Sequence, residues 1–226
     1  MRHTTAADPR RPTALVVGIS AMALFVVLRF VVASNGYDPL PMDVWWDDLV
    51  GEGDNAMLLV LAWIPGIVGG TLGMIVIGVL VVGVFWWRRK RADAATLAVS
   101  IVVVVALGAP MAAVLARNRP EDSLAESMAT SFPSGHTAVA TTFAVMLGLL
   151  LRRGYVWACG VVWVVWMMWS RTYLHAHWLS DVVAGMCEGI AVATLVWCAS
   201  EVIRERRALR HRAPLDETEP PRQAPV

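Results

Sequence analysis

Residues 56–91 read AMLLVLAWIPGIVGGTLGMIVIGVLVVGVFWWRRKR, an apolar run without a single charge up to Trp87, closed by the block Arg88-Arg89-Lys90-Arg91. A hydrocarbon core of roughly 30 Å is crossed by about 20 helical residues, so the run is too long for one straight span. Pro65-Gly66 with Gly69-Gly70 offers a natural break. The pattern therefore predicts a short interfacial or re-entrant helix over residues 52–64 and a membrane span over 66–87.

Working outward, the same reading places further spans near residues 13–33, 95–116, 135–151, 155–172 and 178–203. The composition agrees: of 226 residues 57% are hydrophobic and 16% charged, and the mean hydropathy is +0.58. A water-soluble domain of that make-up could not cover its surface with polar groups, which excludes a soluble enzyme, a nucleic-acid binder and a disordered scaffold. The predicted fold is all-α, a polytopic six-transmembrane-helix bundle with a short interfacial helix before the second span. Residues 1–12 form its N-terminal arm, 13–203 the membrane domain, and 204–226 a tail whose Pro214, Pro220, Pro221 and Pro225 among charges predict disorder.

Arginine placement sets the expected orientation, because short cytoplasmic loops retain positive charge. Arg2, Arg10 and Arg11, the block 88–91, Arg152-Arg153, and Arg204, Arg206, Arg207, Arg210 and Arg212 all fall on one side. Segment 34–55 instead holds Asp38, Asp43, Asp47, Asp48, Glu52 and Asp54 with no Lys or Arg. Both termini are thus expected in the cytoplasm of a plasma membrane, with loops 34–55, 117–134 and 173–177 on the extracytoplasmic face. Val31-Val32-Ala33 resembles a signal-peptidase site, but the apolar run before it is longer than a signal core and contains Arg29. Trp45-Trp46, Trp86-Trp87, Trp169 and Trp178 stand near span ends, where indoles favour the headgroup region. Cys159, Cys187 and Cys198 are too scattered for a disulfide framework and read as buried small hydrophobes. A single lysine among nineteen Lys and Arg residues suggests a GC-rich bacterial genome.

Polar residues collect at the outward ends of the spans. Arg117-Asn118-Arg119-Pro120 closes the third, Phe132-Pro133-Ser134-Gly135-His136 opens the fourth, and Ser170-Arg171 with His177 and Asp181 brackets the fifth and sixth. Guanidiniums match the oxygen faces of a phosphate, and a helix start offers free N–H groups and a positive dipole end. Ser134 can cap that helix or donate its hydroxyl, and Gly135 lets a ligand approach the backbone. His177 and Asp181, four apart, are expected on one helical face, with Asp181 accepting the proton-bearing nitrogen of His177 so that the other nitrogen can attack phosphorus. His136 would then be the general acid. No metal is expected, since His175 and His177 are two apart and do not share a helical face.

These motifs resemble the type 2 phosphatidic acid phosphatase superfamily, lipid phosphate phosphatases related to vanadium haloperoxidases. Its pattern is Lys-x6-Arg-Pro, Pro-Ser-Gly-His, then Ser-Arg-x5-His-x3-Asp. Arg119-Pro120 matches the end of the first motif, residues 133–136 match the second in full, and Ser170, Arg171, His177 and Asp181 match the third. The resemblance spans roughly residues 56–200 and implies a cofactor-free, metal-independent phosphatase. It further implies a phosphohistidine on His177, oriented by Asp181, with His136 protonating the leaving group and later activating water. Arg119, Arg171, Ser134 and Gly135 would hold the phosphoryl oxygens.

One position departs from the pattern: the family lysine falls at Ala112. Arg117 is the nearest substitute cation, because Pro120 disfavours helix just before it, and Arg29 is the second, with snorkelling to headgroups as its ordinary role. The expected activity is hydrolysis of a phosphate monoester or diphosphate headgroup of a membrane lipid at the outer face. Isoprenyl diphosphates, phosphatidylglycerophosphate and phosphatidate are the candidate substrates, and no nucleic-acid partner is expected. A lipid-to-lipid phosphotransferase with the same intermediate and a catalytically silent lipid-binding protein are the alternatives.

Overall fold

The computed structural model describes residues 8–51, 55–114, 117–120, 123–124 and 130–216, and of positions 71, 109–114 and 211–216 only the backbone. Helices follow one another as α1 (Arg11–Ser34), α2 (Pro41–Val50), α3 (Ala56–Val68), α4 (Thr71–Trp87), α5 (Arg91–Val114), α6 (Gly135–Leu151), α7 (Gly154–Tyr173) and α8 (Leu179–Asp216), with no strand among the described residues. The all-α expectation holds. By length and composition α1, α5 and α8 can each cross a membrane, and α3 with α4 make a fourth crossing if the bent pair is one span. These helices support three or four crossings where the sequence predicts six; α6 is a shorter apolar helix.

Three boundaries differ from the prediction, each for a local reason. The acidic stretch 34–55 contains α2, started by Pro41, whose missing N–H costs nothing in a first turn, and by the Asp43 carboxylate, which accepts the Leu40 N–H at 2.9 Å. The interfacial helix predicted over 52–64 is α3 instead. It starts after Asn55, whose side chain accepts the Met57 and Leu58 N–H groups, and it runs through Pro65 to Val68. Of the two glycine-containing pairs expected to break the run, Gly69-Gly70 is where the axes of α3 and α4 bend by 54°. At the other end of the chain α8 continues past residue 203 through Asp216, so the first half of the predicted tail is helical, and residues 217–226 lie outside those described.

The bundle is organised around α8. A Cβ at Gly185 or Gly189 would collide with the Ser134 or Ala138 carbonyl oxygen of α6 and its N-cap, so glycine allows the two backbones to touch. That contact seats the first turns of α8 against the start of α6. On another side of α8, α1 packs Phe25 and Val32 into a cluster with Phe132, Ala184 and Cys187, and Phe25 stacks on Phe132 with centroids 6.2 Å apart. Helix α3 lies on α7 through Ala62, Tyr173 and Leu174. Phe85, Leu97, Met146, Leu149 and Trp197 fill the opposite, arginine-rich end. Large apolar side chains such as Phe30, Leu72 and Trp87 point outward at 75%, 76% and 79% exposure, a surface suited to lipid and not to water. Cys187 and Cys198 are buried as expected, whereas Cys159 is exposed on α7.

At the arginine-rich end Asp8 ties the start of α1 to the end of α6, bonding Arg10 at 2.9 Å and Arg152 at 2.7 Å. The hydrogen bond from Arg10 holds the Asp8 carboxyl down to about 2, well below its ordinary value. Arg10 also donates to the Leu149 carbonyl and stacks over Trp197, 5.1 Å from the ring centroid.

Inside the bundle Glu188 is buried, close to Gly108 of α5, and among the described residues neither its carboxyl oxygens nor the buried Thr141 hydroxyl of α6 has a hydrogen-bond partner. A buried carboxyl without a partner costs free energy in either protonation state. Glu188→Leu, which removes the polar group at similar volume, is expected to stabilise the purified protein by about 1–3 kcal/mol. A lower thermal midpoint in detergent would show that the carboxyl supports the fold.

Candidate active site

The ends of α6, α7 and α8 and the loop after α5 converge at the end of the bundle away from the arginine clusters. Arg171 occupies the last turn of α7, and its carbonyl accepts the N–H groups of Ala176 at 3.1 Å and His177 at 3.2 Å. This tight turn, in which His175 takes a left-handed φ of 48°, sets His177 beside Arg171. His177 therefore stands in the connection before α8, not on the helical face predicted for it.

The imidazole is buried, and its Nδ1 lies 2.7 Å from the Ser131 carbonyl. A carbonyl can only accept, so Nδ1 carries a proton, and in the neutral imidazole the lone pair then sits on Nε2. Asp181 lies 3.9 Å from Nδ1, too far for the direct hydrogen bond expected from the spacing. Its Oδ2 accepts the Trp178 N–H at 2.9 Å, capping α8, and its Oδ1 pairs with Arg117. Asp181 thus contributes charge near the ring, while the Ser131 carbonyl fixes the tautomer.

Arg117 corrects a second expectation. Its guanidinium is fully enclosed, and all five N–H groups have protein acceptors: the Tyr37 and Asp38 carbonyls, the Ser180 hydroxyl at 2.8 Å, Asp43 at 2.7 Å and Asp181. No donor is left for a phosphate. Arg117 does not stand in for the missing lysine; it holds Asp181 from behind. Ala112 lies in the final turns of α5, where side chains are outside the description, and Arg29 sits half-buried on α1.

The remaining predicted residues gather at this end. Arg119 donates to the Ala176 and Thr130 carbonyls, linking the loop after α5 to the His177 turn. Ser134 is buried as the N-cap of α6; its N–H donates to the Asp181 carbonyl at 3.1 Å, and its hydroxyl lies 3.1 Å from that of Thr137. Gly135 is exposed and His136 half-exposed at the start of α6, where first-turn N–H groups point beyond the helix end. The α3–α4 elbow closes one wall. A Cβ at Gly66 would strike the Arg171 guanidinium, and one at Gly70 would lie 3.8 Å from His136 Nε2. Among the described residues no group of three or more His, Cys, Asp or Glu could hold a metal.

Sequence reasoning missed Asp43, Ser131 and Ser180. Asp43 Oδ1 accepts the Ser180 N–H at 2.7 Å, and Oδ2 accepts the Ser180 hydroxyl at 2.8 Å as well as Arg117. The available signal was Pro41-x-Asp43, a helix start inside an apparent loop.

Comparison with known proteins points the same way. The model of the PAP2 superfamily matches residues 93–204. Undecaprenyl-diphosphatase of Sulfolobus acidocaldarius is 34% identical over 116 residues, 48% of this chain and 56% of that protein. Phosphatidylglycerophosphatase B of Escherichia coli K12 is 40% identical over 76 residues, 32% of this chain and 30% of that one. The chain thus spans about half or less of the length of these relatives. Among solved structures, the PAP2-type phosphatidylglycerolphosphate phosphatase of Bacillus subtilis superposes with a TM-score of 0.72 at 21% identity, covering 82% of this chain and 96% of that one. Aquifex aeolicus LpxE gives 0.61 at 21% identity, covering 70% and 96%.

Proposed function

The chain belongs to the PAP2 superfamily through residues 93–204, and on that premise we propose that it is an integral-membrane lipid phosphatase acting through a phosphohistidine on the extracytoplasmic face. The observation that carries the reading is His177: buried, held with its proton on Nδ1 by the Ser131 carbonyl, and flanked by Arg171.

In the first step Nε2 of His177 attacks phosphorus, forming a P–N bond as the P–O bond to the lipid breaks. His136 gives its proton to the departing oxygen. In the second step His136 takes a proton from water, whose oxygen attacks phosphorus and releases inorganic phosphate from His177. Arg119, Arg171, the Ser134 hydroxyl and the backbone at Gly135 hold the phosphoryl oxygens, where charge develops. Asp181 balances the positive charge that His177 gains on phosphorylation. The acidic segment 34–55 and the arginines at the opposite end support an outward-facing site and cytoplasmic termini.

The substrates named for the relatives, an undecaprenyl diphosphate and a phosphatidylglycerophosphate, together with phosphatidate, make the test panel. Purified protein is expected to release inorganic phosphate from at least one of them with chelator present and no acceptor lipid added. No release from any of them, or release that needs a divalent ion, overturns the proposal.

A further inference from the structure

Helix α2 is built inside-out for a helix in water. Positions 43, 46, 47 and 50 face the protein and include two carboxylates and an indole N–H: Asp43 meets Arg117 and Ser180, Asp47 lies 3.1 Å from His175 Nδ1, and Trp46 Nε1 donates to the Thr172 hydroxyl at 2.9 Å. Positions 42, 45 and 49, spaced to form one stripe, point away and are Met42, Trp45 and Leu49, with Trp45 and Leu49 59% and 63% exposed. At ten residues, about 15 Å, α2 cannot cross a bilayer. Its neighbours in the chain, α1 and α3, carry outward apolar residues such as Phe30 and Met57.

We propose that α2 is an interfacial helix whose Met42–Trp45–Leu49 stripe lies in the lipid monolayer at the site end, and that its seating is transmitted to the active site through Asp43 and Arg117 to Asp181. The occupant is phospholipid. An apolar stripe turned outward with two of the three acids, Asp43 and Asp47, turned inward and Asp48 left at the wet edge fits acyl chains and headgroup level, and an exposed indole favours that depth. Segment 34–55 has no Lys or Arg, so the attachment is apolar and does not depend on anionic lipid. The transmission is geometric. Asp43 is 1% exposed and shares Arg117 with Asp181, so a shift of α2 displaces the same guanidinium that holds Asp181. Asp43 is thus a positioning residue. The coupling rests on the phosphatase reading above; the seating of α2 does not.

The test uses the full chain in phospholipid nanodiscs. With Cys159→Ser as background, an environment-sensitive fluorophore on Leu49→Cys is expected to be quenched by bromine-labelled acyl chains, equally with and without anionic lipid, and one on Asp48→Cys much less. Equal quenching at both positions, or none at 49, overturns the seating. Quenching at 49 abolished by dilution of the protein, with none from lipid, would identify a second copy as the occupant and overturn it too. For the coupling, Trp45→Ser/Leu49→Ser is expected to lower kcat about tenfold for a water-soluble phosphomonoester as well as for the lipid, at an unchanged melting temperature. Trp45→Phe/Leu49→Met should retain the wild-type rate. A rise in KM for the lipid alone, with kcat for the soluble ester intact, overturns the coupling and leaves α2 as an anchor. A wild-type protein that releases phosphate from neither substrate overturns the phosphatase reading and the coupling together, while the fluorescence still decides the seating.

Discussion

Arg117→Ala is expected to destabilise the protein by about 3–5 kcal/mol, the cost of leaving buried carboxylates without their cation. Asp43 and Asp181 both lose a partner, and both are fully enclosed. The loss reaches further than one ion pair, because the guanidinium also holds the Tyr37 and Asp38 carbonyls before α2, and the Arg117 carbonyl accepts the Ser131 N–H at 3.0 Å. Ser131 in turn fixes His177. Thermal unfolding in detergent should show a lowered midpoint, and activity should fall with it. A phosphate ligand would behave differently: its removal would weaken vanadate binding while the melting temperature stayed at the wild-type value, and that pattern would refute the role given to Arg117 here. A second variant separates the cases independently of folding yield. Asp43→Asn/Arg117→Met removes one buried charge of each sign and should recover part of the stability lost in Arg117→Ala.

The contrast between Arg117 and the motif residues shows what the sequence could and could not carry. The places of Ser134, His136 and Arg171 rest on local facts, a helix start and the last turn of a helix, whereas Asp181 bonds the Trp178 N–H and Arg117 and not the His177 ring nitrogen expected from the spacing. The role of Arg117 depends on Asp43, 74 positions away, and no local pattern announces that pairing. Helix α2 escaped for a related reason. Its acids suggest a solvated loop, yet two of them face inward, so the usual rule that charge marks the wet face is reversed at a site buried under a lipid-facing helix. His177 stands off the helical face expected for it. A spacing of four implies a shared face only if both residues are helical, and α8 begins two residues after the histidine. The bend at Gly69-Gly70 was announced by its glycines, whereas among the described residues α6 is shorter than a full crossing, a length that hydropathy alone does not reveal.

His177→Ala should abolish turnover, with a loss of at least about four orders of magnitude, because the covalent route through its Nε2 disappears. The geometry sharpens what accompanies that loss. The His177 ring contributes a hydrogen bond to the Ser131 carbonyl, worth about 1 kcal/mol, so the variant should melt only slightly below wild type and still bind vanadate through the Arg119, Arg171 and Ser134 cradle. Activity and stability therefore separate at His177 and fall together at Arg117. His136→Ala makes a third pattern. The nucleophile remains, and an acid-labile phosphoenzyme should accumulate with substrates whose leaving groups need no proton, since water activation in the second step is then the slower one. With poor leaving groups the first step should be the one that slows. Rapid-quench trapping of phosphoenzyme in the two histidine variants checks this directly. Trapped phosphate on His177→Ala, or its failure to accumulate on His136→Ala with a good leaving group, would require the nucleophile and acid to be reassigned, and the tautomer set by Ser131 would then have to serve proton transfer in place of attack.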